Sequence, residues 1–281
     1  MSNYFFDIYL VVDLILTFAS ITVIVDAIEI IVERRQYSSS GIYNFEVLKT
    51  SKRWMMNRWL GPIYNILFKY PNYIFIISIQ LAVATFAISH LFTNLSLFFV
   101  IIILLIHLLS HLRNRYGMNG SDQMQVIIFA CLVVFYAAPS DSIIQKFSIF
   151  FLCFQSLLSY FMSGLAKLVS PVWREGSAIV GIINTESFGN KKFAQFLIER
   201  PLLSKSVCWW VIIFESVFPL FIFTGVQTTI FFVIFGVMFH LSTAILMRFN
   251  SFFWSFIATY PALLFFAAEF QNFIGSFHFF N

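Results

Sequence analysis

Charged residues are scarce in this sequence. Only 11% of its 281 residues are Asp, Glu, Lys or Arg, whereas soluble globular proteins contain about 25%. So few charges cannot cover a folded core with a water-soluble surface. Hydrophobic residues make up 60% of the chain, and they fall in runs close to the roughly 20 residues that an α-helix needs to cross a bilayer. We therefore predict an integral membrane protein.

Cysteine is also rare. Cys131, Cys153 and Cys208 each lie in an apolar segment without a C-x-x-C spacing, which excludes a disulfide framework and dithiol chemistry. No Walker, Rossmann or zinc-finger pattern occurs. The Lys and Arg residues that give the net charge of +4 lie beside the apolar runs, so they indicate membrane topology rather than nucleic-acid binding. The first apolar run contains acidic residues and follows no basic region, so we expect it to be retained rather than cleaved.

Eight apolar runs are candidate membrane spans, and their continuous hydrophobicity favours helices over a β-barrel, whose strands would alternate polar and apolar residues. We place the spans at residues 8–32, 73–92, 96–112, 123–139, 146–168, 206–224, 228–247 and 252–268. The prediction is an all-α polytopic bundle that forms one transmembrane domain over residues 1–281. It would be a multi-pass protein of the cell membrane, in contact with the lipid bilayer.

Two basic stretches interrupt the spans, at residues 33–72 and 168–205. Because cytoplasmic loops are enriched in Lys and Arg, this distribution places both stretches in the cytoplasm and both termini outside. Within the first stretch, residues 49–64 mix Lys and Arg with Trp54 and Trp59. That mixture is typical of a helix lying in the membrane surface, although a plain loop has the same composition.

Three ionisable residues fall inside or at the end of spans, where a charge is costly and needs a partner. Lys167 follows the small residues Ser163 and Gly164 and either acts as a partly desolvated base or reaches lipid phosphate. Glu215 lies four residues before a proline, within a span, and requires a partner or a proton. His240 is either a functional group or a structural histidine bonded to a neighbouring helix.

A histidine pair, His107 and His111, lies at i and i+4 on the third span. This spacing places both imidazoles on one side of a helix, as a helical metal pair requires. Two histidines do not fix a metal, and no third ligand is evident. We therefore assign no metal and keep the two residues as weak candidates beside a simple hydrogen-bonded pair.

Four segments in order resemble the horizontally transferred transmembrane (HTTM) domain, a family related to the membrane part of vitamin K-dependent gamma-glutamyl carboxylase. They are R-N-R-Y-G-M-N-G-S-D-Q-M (113–124), Y-F-M-S-G-L-A-K-L-V-S-P-V-W-R-E-G (160–176), F-E-S-V-F-P-L-F-I-F (214–223) and the histidine-led segment that begins at His240. By length, the chain is similar to the sporulation-delaying-protein B group of short bacterial members.

The resemblance implies a catalytic centre in which Lys167 is the base, with Glu215 and His240 beside it. It implies that Arg115, Asp122 and Trp173 contact substrate. It also implies a lipid quinol as a cofactor or substrate, and a bacterial protein that works with a soluble partner on a short secreted antimicrobial peptide.

The departures from the carboxylase are informative. Asn114, Arg115 and Tyr116 stand where the carboxylase has an asparagine-asparagine-histidine run, so glutamate carboxylation itself is not expected. The carboxylase's luminal domain has no counterpart here, which predicts substrate docking by a separate partner. The resemblance places the site on the exoplasmic side, whereas the charge distribution places its lysine end in the cytoplasm. The alternative function is a non-enzymatic membrane subunit or transporter with a polar relay.

Overall fold

The computed structural model describes residues 7–89, 95–113, 119–186 and 189–277, and every regular element in those ranges is a helix. Seven spans in the described ranges are long and apolar enough to cross a membrane, and an eighth results if one bent helix pair counts as a span. This confirms the prediction of an all-α polytopic membrane protein. The chain groups into a central unit, Leu16–Gln145, and a C-terminal unit, Met1–Ile15 with Lys146–Asn281.

Helix α1 (Ile8–Val32) begins in the C-terminal unit and continues into the central unit. The other α-helices of the central unit are α2 (Phe45–Leu48), α3 (Gly61–Phe68), α4 (Asn72–Ile88), α5 (Ser96–Arg113) and α6 (Gly120–Ala137). Helices α3 and α4 form the bent pair, at an angle of 63°. The predicted basic stretch 33–72 is therefore largely helical, and it also contains 3-10 helices at Arg34–Tyr37, Lys49–Ser51 and Arg53–Met56.

The long helices of the C-terminal unit include α7 (Ile143–Val169, whose first three residues belong to the central unit), α11 (Pro201–Val217) and α12 (Val226–Met247). A 3-10 helix, Phe218–Thr224, extends α11, and the change occurs beside Pro219, which has no N–H for the α-helical ladder. The last span is divided into α13 (Asn250–Ile257) and α14 (Tyr260–Phe277).

The second basic stretch, 168–205, folds into three short helices, α8 (Pro171–Glu175), α9 (Ala178–Ile183) and α10 (Lys191–Ile198). A small apolar core fixes them to α11 and α12, formed by Ala178, Ile179, Ile183, Ala194, Leu197, Cys208 and Met247. Gly176 ends α8 with φ +92°, and a Cβ there would meet the Lys205 backbone. This glycine therefore allows α8 to end, and the chain to turn, in close contact with the backbone at the start of α11.

Candidate functional site

Four polar side chains follow one face of α7. Ser156, Tyr160, Ser163 and Lys167 are four, three and four residues apart, a spacing that aligns side chains along one side of an α-helix. Ser156 and Tyr160 are almost fully buried, and the Lys167 side chain is 18% exposed. Because hydrocarbon offers no hydrogen bonds, the partners of this stripe must come from neighbouring helices.

Lys167 pairs with Glu215 of α11. Lys167 Nζ lies 2.5 Å from Glu215 Oε2 and 2.5 Å from Ser163 Oγ, and the Ser163 hydroxyl also bonds the Glu215 carboxylate. The Glu215 side chain is only 7% exposed. The partner that a glutamate within a span requires is therefore the same lysine that the sequence marked as a candidate base.

Gly164 explains how α7 and α11 come so close. A Cβ at this position would lie 2.6 Å from the backbone nitrogen of Ser216 and 2.9 Å from its Cα. No side chain larger than glycine's hydrogen fits between these two backbones. The close approach brings Lys167 and Glu215, each on a different helix, within hydrogen-bond distance.

Trp173 of α8 lies beside the pair. The Lys167 Nζ is 5.2 Å from the centre of the Trp173 ring, within the range of a cation–π contact. Helix α8 is held to α11 by Trp209 Nε1, which donates to the Arg174 carbonyl at 3.2 Å. Trp173, a predicted substrate-binding residue, is thus placed where it partly covers the lysine.

A second polar cluster joins α7, α12 and α14. The Tyr160 hydroxyl lies 2.8 Å from His240 Nε2 and 2.7 Å from the Tyr260 hydroxyl. All three side chains are at most 4% exposed. The Phe256 ring stacks on His240 at 4.6 Å and the Phe218 ring stacks on Tyr160 at 4.2 Å. This packing fixes the orientation of each ring and excludes solvent.

The cluster and the ion pair interact electrostatically, Lys167 with His240 and Glu215 with Tyr160. The Nδ1 atom of His240 is buried and has no hydrogen-bond partner among the described residues. One ring nitrogen is therefore buried without a described partner, while the other is held by Tyr160. Together the five residues supply an amine, a carboxylate, an imidazole and two phenols in one apolar surrounding, which is a set that can move a proton.

A small apolar cleft of about 10 Å³ lies next to this cluster, lined by Leu157, Phe218, Phe221, Ile222, Thr229, Phe232 and Leu263. Phe218 links the two, since its ring also stacks on the Tyr160 ring. Small-molecule pockets usually enclose roughly 300 Å³ or more. Entry of a ring-sized ligand at this cleft therefore requires side chains such as Phe218 to move.

The other two predicted contact residues are Asp122 and Arg115. Asp122 belongs to the central unit, where it forms a capping box at the start of α6: its backbone N–H donates to Asn119 Oδ1, and its carboxylate accepts from the Asn119 N–H at 3.1 Å. Arg115 lies outside the described residues.

His107 and His111, the weak metal candidates, are adjacent on α5 with ring centres 4.5 Å apart. His107 bonds the backbone of Asp122, and both Nε2 atoms lack a hydrogen-bond partner within the described ranges. In those same ranges no group of three or more His, Cys, Asp or Glu side chains could hold a metal ion. Among the described residues the pair has no third ligand, so the structure gives no ground for assigning a metal to it.

The sequence did not single out Tyr160 or Tyr260. Tyr160 was visible as the first residue of the segment containing Lys167, and the four-three-four spacing of α7 could have identified it. Tyr260 gave no comparable signal, because it follows the turn at Ala258 and Thr259 and is one of many aromatic residues in that span.

No family model, no curated protein and no solved structure matches this sequence.

Proposed function

We propose that this chain is a membrane-embedded acid–base enzyme in which Lys167 is the base, Glu215 is its charge partner and proton acceptor, and His240 donates a hydrogen bond. The observation that carries the proposal is the 2.5 Å contact between Lys167 Nζ and Glu215 Oε2, in side chains that are 18% and 7% exposed. Ionisable residues within membrane spans are expensive, and their presence in a pair is by default a sign of function.

A protonated lysine has no lone pair and cannot accept a proton. Lys167 becomes a base when its proton passes to Glu215 along their hydrogen bond, leaving a neutral amine and a neutral acid. Desolvation penalises the two separate charges of the ion pair, so this neutral pair is much closer in energy to the ion pair than it would be in water. The amine then takes a proton from the substrate and becomes an ammonium group.

The substrate that fits this site is apolar and carries an acidic O–H or C–H group, because it must reach the lysine from the lipid or between helices. A lipid quinol meets this description, as does a short secreted peptide brought by a soluble partner. The resemblance to the HTTM domain favours both, and it favours maturation of an antimicrobial peptide at a bacterial cell membrane. His240 supports ligand binding because its Nδ1 has no described partner.

The test is co-expression of the chain with candidate short secreted peptides, followed by intact-mass spectrometry of each peptide. We expect a mass change with the wild-type protein and none with Lys167→Met. The matched control is Lys146→Met, since Lys146 lies on the same helix and pairs with Glu269 at 3.0 Å but is half exposed. An unchanged product with Lys167→Met, at equal protein level, would refute the assignment of the base.

A second candidate function is a non-enzymatic transporter or subunit that relays protons. The hydrogen-bonded Tyr160, His240 and Tyr260 side chains favour it, because hydroxyls and imidazole can pass a proton along a buried row. In that case Glu215→Gln alters proton flux into proteoliposomes, or assembly with a partner, while no co-expressed peptide changes mass.

A further inference from the structure

The positive charge of the chain is concentrated outside the site, in residues 45–70, which we call the basic segment. It contains five Lys or Arg against one acidic residue, Glu46: Lys49, Lys52, Arg53, Arg58 and Lys69. Its net charge of +4 thus equals that of the whole chain. Nothing in the proposed acid–base chemistry uses this charge.

The basic segment also carries an apolar face that is exposed in the described part of the central unit. Trp59 is 81% exposed and Ile66 is 64% exposed, and four further large side chains are about half exposed: Trp54, Met56, Leu60 and Ile63. The opposite face is buried, with Met55 and Phe68 in one core with Phe45, Tyr73, Ile77 and Ile106. The exposed face is therefore held in place by the apolar core on the other side of the segment.

The geometry places this face near the surface of the membrane. Helix α3 has eight residues, about 12 Å, which is too short to cross the hydrocarbon. Helix α4, which follows it, has 17 apolar-rich residues and is bent from α3 by 63°. When α4 crosses the bilayer, α3 lies closer to the membrane plane. Tryptophans such as Trp54 and Trp59 are typical of headgroup depth.

The cations of the basic segment are not equally free to bind an anion from outside the protein. Lys49 and Lys69 both pair with Glu46, and Lys52 Nζ donates to the Leu112 carbonyl at 2.7 Å. Arg58 is exposed beside Trp59 and forms no ion pair with any described residue. At a membrane surface, a guanidinium can bind a lipid phosphate while the neighbouring exposed indole contacts the acyl chains beneath it.

We propose that the basic segment binds anionic phospholipid headgroups. Arg58 contacts the lipid phosphate, and Trp59, Leu60, Ile63 and Ile66 pack among the upper acyl chains. The charge distribution places this segment on the cytoplasmic side, where the leaflet is anionic. Such a contact fixes the depth of the central unit in the membrane and is independent of the Lys167 site.

The basic residues of the second stretch, 168–205, provide a natural control. That stretch has five Lys or Arg against three Glu, and two of its cations form ion pairs, Lys191 with Glu186 and Arg200 with Glu199. It nevertheless offers an exposed cation, Lys192, and an apolar side chain as exposed as Trp59, Leu202 at 81%. It lacks the concentration of charge found in the basic segment.

The first experiment counts lipids bound to the purified full-length protein by native mass spectrometry, with phosphatidylglycerol or phosphatidylcholine of the same acyl chains. We expect the wild type to prefer phosphatidylglycerol. Arg58→Gln combined with Trp59→Ser should lower that preference about fivefold, the effect of about one surface cation. The matched control, Lys192→Gln combined with Leu202→Ser, should keep it. Equal binding of both lipids by the wild type, or an unchanged preference in the Arg58 and Trp59 variant, would overturn the proposal.

The second experiment measures depth in bilayers that contain brominated lipids, which quench tryptophan fluorescence. Subtracting the signal of Trp59→Phe from that of the wild type isolates Trp59. We expect stronger quenching by bromines near the headgroup than by bromines near the bilayer centre. No quenching would mean that the face is covered by protein or exposed to water, and deep quenching would mean that α3 is part of a span. Either result would rule out the headgroup contact.

Discussion

Among the described residues, Lys167 of the C-terminal unit and Arg113 of the central unit are both largely enclosed, and the two cations are satisfied in different ways. In the C-terminal unit, Lys167 contacts a carboxylate, Glu215, at 2.5 Å. In the central unit, Arg113 is 4% exposed and donates to two backbone carbonyls, Tyr43 at 2.7 Å and Phe68 at 3.2 Å. No ion pair joins Arg113 to an acidic residue within the described structure.

The Arg113 guanidinium is enclosed by aromatic faces. It lies 4.4 Å from the centre of the Tyr73 ring and 4.9 Å from that of Tyr37. Burial, reinforced by the neighbouring Tyr73, raises the pKa of the Tyr37 hydroxyl, so this ring stays neutral at physiological pH. Arginine keeps its charge in proteins, and carbonyls cannot accept its proton. Arg113 therefore acts as a fixed clamp between the end of α3 and the preceding loop.

The difference shows that a buried charge does not by itself indicate chemistry. The partner decides: a carboxylate can exchange a proton with a lysine, whereas carbonyls and aromatic faces can only hold a guanidinium in place. The ion pair should therefore be replaceable as a unit by apolar side chains, at the expense of activity. Arg113, in contrast, should not be replaceable even by lysine, which is also a cation.

The largest effect is expected from breaking the ion pair. Lys167→Met leaves the Glu215 carboxylate buried without its cation, and we expect a loss of about 3–5 kcal/mol of stability. Adding Glu215→Leu should restore most of it, because an apolar pair of similar volume avoids the desolvation penalty. The measurement is thermal unfolding in detergent, followed by reaction of a fluorescent thiol dye with Cys153 and Cys208, which are buried in the folded unit.

The rescue is the decisive part of this experiment. If the double variant is as unstable as Lys167→Met, the two side chains are not an isolated pair, and the comparison with Arg113 fails. A Cys131→Ala background restricts the dye to the C-terminal unit, since Cys131 is the free cysteine of the central unit.

A smaller effect is expected from Arg113→Lys. A lysine ammonium keeps the charge but cannot span both carbonyls with a planar fork, so one buried acceptor loses its donor. We expect destabilisation of about 2 kcal/mol, read from the reactivity of Cys131 in a Cys153→Ala and Cys208→Ala background. The control is Arg58→Lys, an exposed arginine of the same unit, which should change nothing. An unaffected Arg113→Lys protein would show that charge, not the fork geometry, holds the loop.

The sequence predicted the spans well because the thickness of the hydrocarbon layer sets the length of each apolar run. The predicted span 228–247 differs from α12 by only two residues at its start. The last span was less accurate, since α14 continues to Phe277 and the turn near Thr259 interrupts the span. The short helices α8 to α10 were not predicted, because none has more than eight residues and their stability comes from packing on α11 and α12.

The site was partly predictable for a similar reason. A glutamate within a span needs a partner, and Lys167 was an available cation, so Glu215 could be placed beside it. Tyr260 could not be identified, because its hydroxyl meets Tyr160 only after α7 and α14 pack together. The burial of Arg113 could not be predicted, since an arginine at the end of a span usually extends to the membrane surface. Its burial depends on the loop that contains Tyr43, which lies 70 residues earlier in the chain.

The smallest effect is expected from Lys146→Met. Lys146, which lies on the same helix α7 as Lys167, forms an ion pair at 3.0 Å with Glu269 of α14, and the two side chains are 50% and 37% exposed. Exposed pairs gain little because water or headgroups solvate both charges, so we expect a change below about 0.5 kcal/mol in the same thiol-dye measurement. The two lysines differ chiefly in burial and in the closeness of the partner helix at Gly164. A loss as large as that of Lys167→Met would mean that burial does not distinguish the two pairs, and Lys167 would then lose its claim to a special role.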